Sequence, residues 1–205
     1  MQNPSIDDTK QRILDSAARL FSRNGIASTS MREIAKECDI QAGSLYNHFK
    51  SKDELVSEIF DLGIKRVADA VKKDLAKVDK NADFRVFLTA ATRAHLDAFF
   101  VYGDYTATHI RNFKQAPENI QANNIKARDA YEKLWINLLE KGAANGALSA
   151  DIDLNLARLL LFGSLNWTLE WFRPEDPKSL DLLAETAVRI FLDGCGARPD
   201  VRKPK

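Results

Sequence analysis

The residues best equipped to touch another molecule lie together between positions 41 and 48, Gln41-Ala42-Gly43-Ser44-Leu45-Tyr46-Asn47-His48. Taken as a helix, the stretch turns Leu45 to one side with Ile40 and Phe49. The opposite side then shows Gln41, Ala42, Ser44, Asn47 and His48, with Gly43 among them. Small side chains let a helix approach base edges closely, and amides and hydroxyls read those edges. Gln41 suits an adenine and Ala42 a thymine methyl. Tyr46, His48 and Lys52 can donate to phosphates, and free amides at Ser51 and Lys52 offer a further phosphate site. The same pattern also fits a small helical hairpin with a solvated polar face.

Catalytic chemistry finds no foothold. There is no G-x-S-x-G, no Walker A loop and no dinucleotide fingerprint. His48, His95 and His109 have no metal-like spacing with each other or with Cys38 and Cys195, so no catalytic residue, metal or cofactor is expected. Cys38 falls on an inward helix face and reads as core; the two thiols form no disulfide framework, which suits a reducing cytoplasm. The formal net charge is +1, and residues 1–52 carry eight Lys/Arg against six Asp/Glu. A nucleic-acid footprint must therefore be local, from Arg32, His48, Lys50 and Lys52.

These side chains need elements to hold them. Hydrophobic residues make up 45% of the 205 positions and charged residues 29%, with 9 glycines and 6 prolines that mostly separate periodic segments. Apolar residues recur at three- and four-residue spacing, which predicts an all-α fold. A first helix is expected over 9–23, stopped by Asn24-Gly25. Ser30-Met31-Arg32-Glu33 is a capping box opening a short second helix, the third runs over about 41–49, and Ser51-Lys52-Asp53-Glu54 is a second capping box opening a long helix. Further helices are expected near 83–102, 105–115, 119–144, 153–172 and 177–194, about nine in all. The chain thus divides into a three-helix, helix-turn-helix head over 1–51 and a helical-bundle body over 52–197. The polar start, Gln2 to Arg12, reads as no signal peptide, and Arg158, Asn166 and Glu170 interrupt the most apolar stretch, Leu154 to Phe172, so a cytoplasmic protein without a membrane span is expected. The end, with Arg198, Arg202, Lys203 and Lys205, reads as a solvated tail.

The segments Thr29-Ser30-Met31-Arg32-Glu33-Ile34-Ala35, Gly43-Ser44-Leu45-Tyr46-Asn47-His48-Phe49 and Lys52-Asp53-Glu54-Leu55 resemble the TetR family of transcriptional regulators. The resemblance covers about residues 10–56. It implies a homodimer that lays two recognition helices in successive major grooves of a roughly palindromic double-stranded operator. On this footing the candidate DNA contacts are Thr29, Ser30 and Arg32, then Gln41, Ala42, Gly43 and Ser44, then Tyr46, Asn47, His48 and Lys52. Asp39 stands where the family has glycine in the turn, and tolerates left-handed geometry better than most residues. Gln41 replaces the usual Ser or Thr cap, trading a cap for a base contact.

In the body, the helices near 153–172 and 177–194 are unusually apolar. The resemblance implies that they pair with their mates in a four-helix dimer interface. The stretch Leu161 to Pro174 resembles the subgroup that regulates fatty-acid, phenylacetate and steroid catabolism in response to acyl-CoA thioesters. That implies an acyl-CoA effector releasing a repressor from DNA. Candidate ligand contacts are Phe99, Tyr105, His109 and Arg111, with Phe162, Asn166, Trp167, Glu170, Trp171 and Arg173. Asn166 and Glu170 share a face, and buried polar groups of this kind need partners. Control by a protein partner, or by a hydrophobic ligand without CoA, is the alternative.

Overall fold

The computed structural model describes residues 6–195; the basic tail over 197–205 and the side chain of Cys195 lie outside the described residues. Among these residues there are nine α-helices and no strand. They are α1 (Ile6–Asn24), α2 (Met31–Glu37), α3 (Ala42–His48), α4 (Lys52–Leu75), α5 (Phe84–Val101), α6 (Gly103–Asn112), α7 (Glu118–Ala144), α8 (Leu154–Trp171) and α9 (Pro177–Cys195). A 3-10 turn, Phe113–Gln115, follows α6. The helices form two compact units, one of residues up to Arg66 with Tyr102–Arg128, the other of Val67–Val101 with residues from Asp129 onward.

The first unit is built on α1, whose Ile13, Leu14, Ala17 and Phe21 are buried. Gly25, at φ +83°, closes the helix through its amide, which donates to the Phe21 carbonyl at 3.0 Å. The capping box of α2 is complete: the Glu33 amide donates to Ser30 Oγ at 3.2 Å, and the Ser30 amide donates to Glu33 Oε2 at 2.7 Å. These bonds hold the Glu33 carboxyl below the usual carboxylate range. In the turn to α3, Asp39 takes the left-handed conformation at φ +54°, and the Ile40 amide donates back to the Ala35 carbonyl at 3.0 Å. Asp39 thus does the work of a glycine. Leu45 and Phe49 are then driven fully into the core, with Ile40 packed against it. The second box is one-sided. Ser51 Oγ accepts from the Glu54 amide at 3.1 Å, but the Glu54 carboxylate accepts from the Lys50 amide at 2.7 Å instead of from the cap residue.

Helix α6, the turn after it and the start of α7 complete this unit. Tyr105, Ala116 and Ile120 belong to the same hydrophobic core as Phe21, Leu45 and Phe49. The Tyr105 hydroxyl donates to Asp15 Oδ1 at 2.6 Å and accepts from Gln11 Nε2 at 3.0 Å; burial, reinforced by Asp15, pushes its pKa up. Thr108 Oγ1 donates to the Ala18 carbonyl at 3.0 Å, and Ser22 Oγ to Asp104 Oδ1 at 2.7 Å. Burial likewise raises the Cys38 thiol, which lies in this core.

In the second unit α5 packs on α9, tied by Arg93, which pairs with Asp97 at 3.1 Å and with Asp181. Asp153 caps α8, accepting from the Asn155 and Leu156 amides at 2.9 and 3.0 Å. The buried Phe84 ring brings its distal atoms against Gly142 of α7, where an added Cβ would fall 2.5 Å from Phe84 Cζ.

Two substitutions test this framework by urea unfolding. Asp39→Val, a β-branched residue forced to positive φ, is expected to be less stable than Asp39→Gly by about 1–2 kcal/mol. Gly142→Ala is expected to cost roughly 1–3 kcal/mol by overpacking Phe84.

Candidate nucleic-acid interface and effector pocket

Helix α3 turns Leu45 inward and leaves Gln41, Gly43, Tyr46 and Asn47 exposed, with Ala42, Ser44 and His48 half-buried. Gln41 makes no side-chain capping bond, so its amide is free to meet a base. Arg32 and Lys36, one turn apart on α2, are both exposed and line a shallow hollow with Gln41 and Ala42. Lys36 escaped the sequence reading, although its spacing from Arg32 placed it on the same face.

Three expected DNA contacts are used otherwise. Thr29 is buried and its hydroxyl donates to the Gly25 carbonyl at 3.0 Å, so it is a loop brace and not a surface donor. Ser30 is exposed, but its side chain is engaged in the capping box, donating to Glu33 Oε2 at 2.8 Å. Lys52 Nζ donates to the Ile26 and Thr29 carbonyls at 3.0 and 3.2 Å, which ties the start of α4 to the loop before α2 and leaves one of its three donors for a phosphate.

The expected ligand contacts are divided between the two units. Tyr105, His109 and Arg111 belong to the first unit and serve its internal bonds. Burial lowers His109 to about 4; its Nε2 lies 3.0 Å from Asn124 Oδ1, and Asn124 in turn donates to Asp61 at 2.7 Å. Arg111 donates to the Ser22 carbonyl at 3.2 Å. In the second unit Trp167 and Trp171 stand exposed on α8, as does Glu170, and Arg173 donates to the Leu169 and Phe172 carbonyls at 3.1 and 2.8 Å.

Phe99 and Phe162 do converge, on His95. The fully buried imidazole stacks on Phe99 at 5.1 Å and Phe162 at 5.7 Å, with Trp135 edge-on at 6.0 Å. His95 Nδ1 lies 2.7 Å from the Tyr131 hydroxyl. Burial lowers His95 to about 4, with Asn166 acting the other way, so the ring is neutral near pH 7. Burial also raises Tyr131. Around these rings Thr92 Oγ1, His95 Nε2, Trp135 Nε1 and Arg158 Nε are buried without a hydrogen bond of ordinary geometry among the described residues. Arg158 pairs with Glu132 at 3.1 Å. Asn166 reaches His95 and Trp135 reaches Tyr131; a buried polar atom left without a good partner costs about 1–3 kcal/mol, which a bound polar group would relieve. Thr92, His95, Tyr131 and Arg158 were not among the expected contacts. Arg158 had registered only as a break in an apolar run, and one buried face shared by Thr92 and His95 at i, i+3 was the available signal.

A separate half-open cavity of about 920 Å³ lies among the end of α4, the start of α5 and the second half of α7. None of the ten expected ligand contacts lines it.

Comparison with known proteins identifies the architecture. Residues 13–59 match the family model for bacterial regulatory proteins of the tetR family, and residues 87–195 match the tetracyclin repressor-like C-terminal domain. The chain belongs to the TetR family. The first TetR match covers most of α1, all of α2 and α3, and the start of α4; the second covers most of α5 and all of α6 to α9. The chain is similar to the HTH-type transcriptional repressor KstR2 of Rhodococcus jostii (strain RHA1), with 30% identity over 95% of this chain and 97% of that one. It is similar to the fatty acid metabolism regulator protein of Bacillus subtilis (strain 168), with 20% identity over 89% and 93%. Among solved structures, the TetR family regulator PfmR from Thermus thermophilus superposes with a TM-score of 0.77 and 29% identity, covering 92% of this chain and all of that one. KstR2 of Mycobacterium tuberculosis superposes at 0.80 with 21% identity, covering 95% and 98%, and shares the fold. No helix among the described residues is long and apolar enough to cross a membrane.

The buried His95 makes this TetR-type regulator sensitive to acid. Its folded-state pKa is near 4 against about 6.5 unfolded, so between those values the unfolded chain binds the extra proton. Stability is therefore full above about pH 6.5 and falls as pH drops towards 4, by of order 3 kcal/mol for this group. Unfolding midpoints measured from pH 7 to pH 4 should show that slope, and His95→Phe should flatten it to what remains from His109.

Proposed function

We propose that this TetR-type regulator is a ligand-responsive repressor that binds a palindromic operator as a homodimer and is released by a small-molecule effector, in the first instance an acyl-CoA thioester. The observation that carries the reading is the exposed face of α3, where Gln41, Gly43, Tyr46 and Asn47 stand exposed on a helix fixed from behind by Leu45 and Phe49. Residues 1–51 are then the reading head and 52–197 the portion that dimerises and binds ligand.

Dimerisation is supported by an apolar stripe exposed on a single chain. Leu156, Leu160, Trp167 and Trp171 on α8, with Leu182 and Ile190 on α9, are 57–76% exposed. Exposed large apolar side chains in such a row mark a protein interface. Gly163 and Ser164, also exposed on α8, permit close helix approach. The effector class is supported by the names of relatives, a KstR2 repressor and a fatty acid metabolism regulator. The route from effector to operator is supported by the hydrogen bonds between α6 and α1, since any shift of α6 must move the helix on which the head is built.

The test is fluorescence anisotropy with a duplex selected from a random pool by the purified protein. Titration with aliphatic, aromatic and steroid-derived acyl-CoAs should release the duplex for one class, and operator should weaken that ligand by the same factor. A tight acyl-CoA that leaves operator affinity unchanged would refute the mechanism. On the same duplex, Gln41→Ala should cost about 1–3 kcal/mol and relax preference at one base pair. Arg32→Ala should weaken binding across sequences and reduce the salt slope by about 1.

A further inference from the structure

The half-open cavity in the second unit has a floor and a rim of opposite character. Leu75 at the end of α4, Phe84 and Phe87 on α5, and Leu134 and Leu138 on α7 supply apolar wall. Three cations, Lys80, Lys133 and Lys141, face the same space, and no acidic residue lines it among the described residues. Lys133 and Lys141 sit at i and i+8 of α7 with Asn137 between them at i+4, so one helix face carries two ammonium groups and an amide beside the apolar wall. Like charges set round one cavity repel, and an anion placed among them relieves that repulsion. The wall opposite is fixed in place, because Phe84 rests on the bare backbone of Gly142. At about 920 Å³ the space falls within the range of small-molecule sites.

From this charge and shape we propose that the cavity binds an amphiphile with an apolar body and a compact anionic head, the body on Phe84, Phe87 and Leu138 and the head on Lys133, Lys141 and Lys80. The site is separate from the aromatic cluster: none of His95, Tyr131, Trp135 or Phe162 lines it. Lysine ammonium groups act as point charges and hold a carboxylate or a phosphate alike; a fatty acid presents its carboxylate directly at the end of the apolar chain, whereas an acyl-CoA has a neutral thioester there and presents only the phosphates of its CoA arm. Binding stands on the cavity alone; only the further statement that the occupant acts as effector rests on the function proposed above.

The test is calorimetric titration of the full-length chain with sodium decanoate, decanoyl-CoA and the uncharged decanol. Decanoate or decanoyl-CoA is expected to bind at least about tenfold more tightly than decanol, a difference of about 1.4 kcal/mol. Lys133→Gln with Lys141→Gln should erase that preference and leave decanol binding unchanged. Ala130→Trp, at an exposed lining position, should fill the space and weaken all three ligands, and Phe162→Leu in the aromatic cluster should weaken none. A carboxylate head is identified if decanoate responds to the lysine variant, and a phosphate head if only decanoyl-CoA does. The proposal is overturned if neither anion binds the unmodified chain, if binding survives both the lysine and the Ala130 changes, or if Phe162→Leu alone abolishes it. Operator anisotropy with the same ligands separates the two readings. Cavity binding without release of operator sinks the effector role and leaves the site. Release by decanoyl-CoA that ignores every cavity variant sinks the site and leaves the repressor.

Discussion

The reading head of this protein does not close its own core. Phe21, Leu45 and Phe49 share that core with Tyr105, Ala116 and Ile120, which come from half a chain away. A short helix such as α3, with Ala42 to His48 as its whole length, has no stability of its own in water. Its orientation is set by what Leu45 and Phe49 pack against, and that packing is only complete once α6 lies on α1. The bond from Tyr105 to Asp15 is central here, because it joins a buried phenol to a carboxylate while Gln11 satisfies the remaining valence of the hydroxyl. Gln11 Nε2 also donates to Asp15 Oδ1 at 2.8 Å, so the three side chains form one closed set across α1 and α6.

Much of the head was legible because its signals are local. The capping box at Ser30 and Glu33, the stop at Asn24-Gly25 and the inward spacing of Ile40, Leu45 and Phe49 each act within a few residues. Asp39 was legible for the same reason, since a single residue must absorb the turn, and aspartate bears positive φ better than most. What failed were statements about which donors remain free. Thr29 and Lys52 look like surface donors in one dimension, and only the folded loop shows both committed to carbonyl groups near Ile26.

The body was legible as helices and much less so as a site. Its chemistry arises where α5, α7 and α8 meet, and no window of sequence contains that meeting. Phe99, Phe162 and Asn166 were foreseeable as aromatic and amide surface, but the group that gathers them, His95, looks in sequence like an ordinary core histidine. Arg158 was read as an interruption, whereas the fold buries it beside Glu132. Lys80, Lys133 and Lys141 are harder still, because isolated lysines at such spacing normally mark a solvated face. Their shared direction is a tertiary fact. Two kinds of polar group therefore coexist in one helical unit: buried polar atoms inside an aromatic cluster, and lysine cations on the lip of a half-open cavity.

The continuity of the head core with α6 bears on how such proteins can be recombined. A cut after residue 51 follows the sequence motif but severs a packed interior, removing Tyr105, Ala116 and Ile120 from the side chains they cover. A chimera joining this head to a foreign body inherits the foreign α6, and with it a different surface against α1. Transplanting the exposed side chains of α3 onto an intact host leaves every interior contact in place. Changes of operator preference in this lineage are accordingly easier by substitution on one helix face than by exchange of whole segments.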